Sequence, residues 1–98
     1  MTNKKIKEKD LAIITVIGKD RTGIVAQVSQ ALFEEGVNIE DISQTIMEGN
    51  FVMAMLVDIK SAKKDIKALR VKLEKLGEKI GQVIQIQSEK IFEVMHRV

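Results

Sequence analysis

The 98-residue sequence has no cysteine, proline, tryptophan or tyrosine, and one histidine. Without cysteine there are no disulfides, no thiolate nucleophile and no cysteine-ligated zinc. The three phenylalanines, Phe33, Phe51 and Phe92, do not form the paired aromatic strand motif that stacks bases, so RNA recognition on a sheet is not expected. The lone His96 has no carboxylate cluster beside it and reads as a packing or surface residue rather than a catalyst or metal ligand. Ser29 and Ser43 lack a base at motif spacing. Glu40 and Asp41 are exposed acidic neighbours, not a metal-binding constellation. No catalytic machinery assembles from this inventory, so an enzyme is not expected, and neither a cofactor nor a metal site is.

Long hydrophobic runs are missing too, and no segment approaches the length of a membrane span. The Lys/Glu-rich start, residues 1–10, lacks the apolar stretch of a signal peptide and is expected to be a flexible lead-in. These absences favour a cytoplasmic protein without membrane contact. Hydrophobic residues make up 45% and charged residues 31%, with a net charge of +2. One small core follows, with little stability in reserve, so a second subunit would help. The charges are unevenly spread. Glu34, Glu35, Glu40, Asp41 and Glu48 form an acidic stretch, while Lys63, Lys64, Lys67, Arg70, Lys72, Lys75 and Lys79 dominate a later one. A solvated lysine-rich helix face is the plainer reading of the second stretch; a polyanion site is the other.

Periodicity and punctuation predict six elements. Leu11 to Ile17 is a strand apolar on nearly every residue. A helix runs from Thr22 or Gly23 to Glu35, capped by Asp20 or Thr22 and stopped by Gly36. A second strand spans Val37 to Met47, Glu48-Gly49-Asn50 is a hairpin turn, and a third strand covers Phe51 to Ile59. A second helix begins after Ser61 as N-cap. Its seam is Ile66, Leu69, Leu73, Leu76 and Ile80, with Gly77 weakening it and Gly81 ending it. Gln82 to Ser88 is a fourth strand, and Glu89 to His96 is expected to be a short amphipathic helix.

This β-α-β-β-α-β order predicts an α+β, ferredoxin-like antiparallel sheet with both main helices on one face, over residues 11–88. Residues 89–98 add the terminal helix. The first and third strands belong in the centre, yet both are apolar on both faces, so the face without helices needs a cover. The tail helix and a second copy of the chain are both expected there, the latter making a homodimer.

The stretch Gly18-Lys19-Asp20-Arg21-Thr22-Gly23-Ile24 is the best-provided candidate site. Gly18 lets the chain leave the strand, and Gly23 lets a ligand approach the helix start without a Cβ in the way. Free N–H groups near Thr22, Gly23 and Ile24 suit a carboxylate. Asp20 suits an ammonium group and Arg21 a second anion. A capped turn without a ligand accounts for the loop equally well. The missing Gly-Lys-Ser/Thr excludes a phosphate loop. Gly36-Val37-Asn38-Ile39 is a second turn, expected at the same end of the sheet. Asn38 carries a donor and an acceptor for an amino-acid head group, or else is a turn residue.

The set Gly18-x-Asp20-Arg21-x-Gly23-Ile24, followed by Leu32-x-x-x-Gly36 and Val37-Asn38-Ile39, resembles the ACT domain, a small regulatory module. Asp41-Ile42-Ser43-Gln44-Thr45 and Ile91-Phe92-x-x-Met95-His96-Arg97 are similar to free-standing single ACT-domain proteins and to the ACT modules of the glycine-cleavage transcriptional repressor. The resemblance implies a dimer. It also implies an amino-acid or similar small-molecule ligand at Asp20, Arg21, Thr22, Gly23, Ile24, Asn38 and Ile39, often across a subunit interface. With no enzyme or DNA-binding domain attached, it implies action through a separate protein partner. A protein-interaction module with an empty loop is the competing reading.

Overall fold

A computed structural model describes residues 8–90. The strands are β1 (Leu11–Lys19), β2 (Asn38–Met47), β3 (Asn50–Asp58) and β4 (Gln82–Ser88), and the helices are α1 (Ile24–Glu34) and α2 (Ile66–Ile80). They form one antiparallel sheet in the order β2-β3-β1-β4. This is the expected ferredoxin-like arrangement, with the two most apolar strands central. Of the expected terminal helix, Glu89 and Lys90 are helical and the remainder lies outside the described residues, as does most of the lead-in.

Strand side chains alternate between faces, so the pairing register sorts them. Ala12, Ile14 and Val16 of β1 join Phe51, Met53, Met55 and Val57 of β3 and Ile84 and Ile86 of β4 in one core. Against them pack Ile24, Val28 and Leu32 of α1 and Leu69, Leu73 and Ile80 of α2. Each large side chain buried there contributes about 1.5–3 kcal/mol. On β2 a bulge between Ile39 and Asp41 inserts Glu40. Ile39 and Ile42, three residues apart, therefore both lie level with core residues of β3, Val57 and Met55.

The opposite face carries Leu11, Ile13, Ile17, Val52, Ala54, Leu56 and Val83. Ile17 pairs with both Val52 and Val83, and Ile13 with Leu56. In the single chain Ile17 is 49% and Val83 64% exposed, so this apolar face is open among the described residues.

The helix boundaries correct three expectations. Asp65, not Ser61, is the N-cap of α2, its carboxylate accepting from the Ala68 N–H at 2.9 Å. An acceptor there satisfies one of the orphan donors of the first turn. Neither Asp20 nor Thr22 caps α1: the N-cap is Gly23, with no side-chain bond. Gly77 is a packing requirement rather than a flaw, since a Cβ there would overlap the Gln82 carbonyl oxygen. Gly36 and Gly81 do end their helices, both with positive φ.

The helices run antiparallel, tied at both ends. At one end Arg21 Nη1 donates to the Ile80 carbonyl at 3.0 Å, placing a cation at the negative end of α2. At the other, the buried Glu35 carboxylate accepts from Lys64 and Lys72, and Lys72 also meets Glu34. The lysine hydrogen bonds, Lys72 first and then Lys64, hold the Glu35 carboxyl below its ordinary range.

Candidate functional site

β1 continues to Lys19, and Gly18 is needed for space rather than for a sharp exit. A Cβ at position 18 would lie 2.6 Å from Gln82 Oε1 and 2.7 Å from the Gly81 carbonyl oxygen. Gln82 enters this gap and donates Nε2–H to the Lys19 carbonyl at 2.8 Å. Its buried Oε1 has no protein partner. After Lys19 the chain is pinned again, because the Asp20 N–H donates to the Gly49 carbonyl at 3.0 Å. That contact joins the loop to the two-residue turn Glu48-Gly49, both with positive φ, as a tight hairpin requires.

Arg21 reaches across to Ile80, so one of its donors already serves the end of α2. Asp20 and Thr22 are exposed. Gly23 adopts φ 88° and ψ 4°, a left-handed conformation that favours glycine. From there α1 opens: the Gly23 carbonyl accepts from the Gln27 N–H at 3.0 Å. The N–H groups of the first turn before Gln27 have no intrahelical acceptor, and no side chain caps them. They carry the positive end of the α1 dipole. Ile24 offers only its backbone, since its side chain is 2% exposed and sits in the core.

Asn38 lies elsewhere. It is level with Asp58, which pairs with Leu11 at the start of β1, whereas Gly18 is level with Phe51 and Ile46. The seven steps from Leu11 to Gly18 span about 23 Å of strand. Within one chain, therefore, the loop and Asn38 stand at opposite ends of the sheet. Their expected placement at one end is incorrect, because β1 and β2 run in the same direction and α1 returns the chain to the starting end. The exposed Asn38 donates Nδ2–H to Glu40 at 2.9 Å, and Glu40 also pairs with Lys9 at 2.8 Å. Those two partners, Lys9 first, hold the Glu40 carboxyl below its ordinary range. The Ile39 side chain packs against the core.

Residues 10–87 match the ACT domain family. The chain belongs to that family. A UPF0237 protein of Methanocaldococcus jannaschii is 54% identical over 86 residues, covering 88% of this chain and 96% of its own length. The solved structure of an ACT domain protein from Streptococcus pneumoniae superposes with a TM-score of 0.78 at 45% identity, over 88% of this chain and 97% of that one. A candidate glycine cleavage system transcriptional repressor shares the fold, with a TM-score of 0.72 at 24% identity over 82% of this chain and 46% of that one.

ACT domains are regulatory ligand-binding modules. An uncapped helix start can hold an anion, and Asp20 and Asn38 supply exposed polar groups. Among the described residues there is no group of three or more metal-binding side chains, and no helix is long and apolar enough to cross a membrane. Three features escaped the sequence reading: Gln82 under the loop, the Glu35–Lys64–Lys72 ion pairs, and the groove between α1 and α2. Gln82 had a weak signal as the polar start of an otherwise alternating strand. The other two depend on how the helices lie side by side, which no local pattern encodes.

Proposed function

We propose that this ACT domain is a dimeric cytoplasmic sensor, without catalytic activity, that binds an amino acid or similar small carboxylate and acts on a separate protein partner. One observation carries the reading: α1 starts at a left-handed, uncapped Gly23 beside the exposed Asp20, in a loop tied to the β2–β3 hairpin. The carboxylate accepts from the first-turn N–H groups, and Asp20 faces the ammonium group.

Asn38 joins the site through symmetry. β2 is an edge strand of ten residues, and an unpaired edge is a template for another strand. Pairing two β2 strands about a two-fold axis reverses one against the other. Asn38 of the partner subunit then arrives beside the hairpin, and Asp20 binds that hairpin through Gly49. One chain supplies the loop and its partner the amide, an isologous arrangement with two equivalent sites.

Calorimetric titration with each of the common amino acids tests this reading. Heat is expected for one amino acid or a small related set, with affinity falling at least about tenfold in Asn38→Ala, the order expected for one lost buried hydrogen bond to a charged group. No heat and no thermal shift for any amino acid would refute it. A second reading, an interaction module with an empty loop, draws on the open apolar sheet face around Ile17 and Val83. It predicts that Ile17→Glu abolishes the dimer in sedimentation while no metabolite binds.

A further inference from the structure

A groove of about 610 Å³ lies between α1 and α2. Ala26, Ala31 and Leu76 give it an apolar floor, and Gln27, Lys75 and Lys79 stand around one end. We propose that this groove docks a partner protein through an acidic amphipathic helix. The proposal deepens the reading of the chain as a regulator acting on a separate partner, and rests on it.

Charge makes the first half of the case. Lys72, Lys75 and Lys79 follow one another at helical spacing along a single wall, about 10 Å from first to last. Lys72 is already paired with Glu34 and Glu35. Lys75 and Lys79 have no ion-pair partner among the described residues. The acids of the same helix do not offset them, because Glu74 and Glu78 line the other side of α2, beside β4. Across the groove, α1 presents the amides of Gln27 and Gln30 and only one acid, Glu34, at the far end. The uncapped start of α1 adds positive potential at the Lys79 end.

Apolar surface makes the second half. Phe33 is 76% and Val71 50% exposed on the outer sides of these same helices, toward the end where Glu34 meets Lys72. A ligand suited to this surface therefore needs apolar side chains along its length and carboxylates at the Lys75–Lys79 end. A third helix laid between two antiparallel helices supplies both, with its stripe in the groove and its acids on the lysine wall.

Nucleic acid fits less well: an apolar floor with lysines on one wall offers no aromatic stacking and no bidentate arginine grip. A second copy of the chain also fits poorly. Its described helices carry their acids either paired with lysines or interspersed among them, and its other exposed acids, such as Asp10, Asp20, Asp41 and Glu48, are scattered over loops, the hairpin and β2 rather than set along one helix. The groove also shares α1 with the proposed amino-acid site, whose N–H groups lie one turn before Gln27. Binding at one therefore bears on the same helix as binding at the other.

The test uses fluorescence anisotropy with a synthetic helix-forming peptide carrying a leucine stripe at helical spacing and glutamates elsewhere. A scrambled peptide of identical composition and a uridine oligonucleotide serve as competitors. The stripe peptide should bind wild type at least about tenfold more tightly than the scramble, and the Lys75→Glu/Lys79→Glu variant should lose about tenfold or more. Phe33→Ala should weaken binding without changing the circular dichroism spectrum. Equal binding of the scramble, unchanged binding by the charge-reversed variant, or tighter binding of the oligonucleotide would overturn the proposal. So would dissociation of a dimer by the charge reversal in sedimentation, which would make the groove a self-interface. Amino-acid calorimetry on the same variant should match wild type. Peptide binding without any amino-acid heat would refute the sensor while leaving the groove; amino-acid heat without peptide binding would do the reverse.

Discussion

Gly77→Ala should destabilise the protein by about 1–2 kcal/mol, opposite in sign to what helix propensity alone predicts. In an unconstrained helix interior the substitution gains about 0.8–1.0 kcal/mol. Here the new Cβ overlaps the Gln82 carbonyl oxygen and lies 3.3 Å from Ile84 Cγ1. The carbonyl belongs to β4, whose pairing with β1 fixes it from Gln82 to Ser88, so it has little freedom to turn aside. Relief requires α2 to lift off the sheet, loosening Leu73 and Ile80 in the core. Overpacking of this kind costs roughly 1–3 kcal/mol, and contact with backbone puts it at the upper end. Urea unfolding followed by circular dichroism, at one fixed protein concentration, measures the difference. Glu74→Ala, on the exposed side of the helix, should stay within about 0.5 kcal/mol of wild type. A Gly77→Ala variant more stable than wild type would refute the packing account and leave Gly77 as the weak point that its composition suggests.

The remaining predictions concern charge and capping. The Glu35 carboxyl is depressed from its ordinary 4.5 by Lys72 and then Lys64. Its stabilising contribution is therefore complete above that value and disappears as pH falls through the lower folded value. Urea midpoints across the acid range should fall more steeply for wild type than for Glu35→Gln, which should also be less stable at neutral pH; parallel profiles would contradict this. Asp65→Ala should cost about 1 kcal/mol of stability through its lost cap. Ser61→Ala should change stability by less than about 0.5 kcal/mol, and thermal unfolding of the two variants tells them apart.

Much of the fold is legible in the residues. The near-continuous apolar run in Leu11–Ile17 and again in Phe51–Ile59 marks central strands, and Gly36 and Gly81 mark where helices must stop. Ser61 and Asp65 are equally good caps by type, and the choice depends on where α2 begins to touch the sheet. By type Gly18 and Gly77 suggest flexibility, whereas the structure uses their missing Cβ atoms. Close approach between segments 60 or more residues apart, as for Gly18 and Gln82, leaves no local trace. The candidate site shows the same limit. The loop Gly18–Ile24 and the turn at Asn38 each stand out by composition. That they lie at opposite ends of the sheet follows from strand direction, and a common site then requires a second subunit.

A subunit-mixing titration tests that shared site most directly. Asp20→Ala disables the loop and Asn38→Ala the amide, so each homodimer should bind poorly the amino acid found by calorimetry. After unfolding and refolding equal amounts together, half of the dimers should be mixed, each with one wholly native site, restoring about a quarter of the wild-type sites at wild-type affinity. No restoration in the mixture, with dimers formed, would contradict a site built from two subunits.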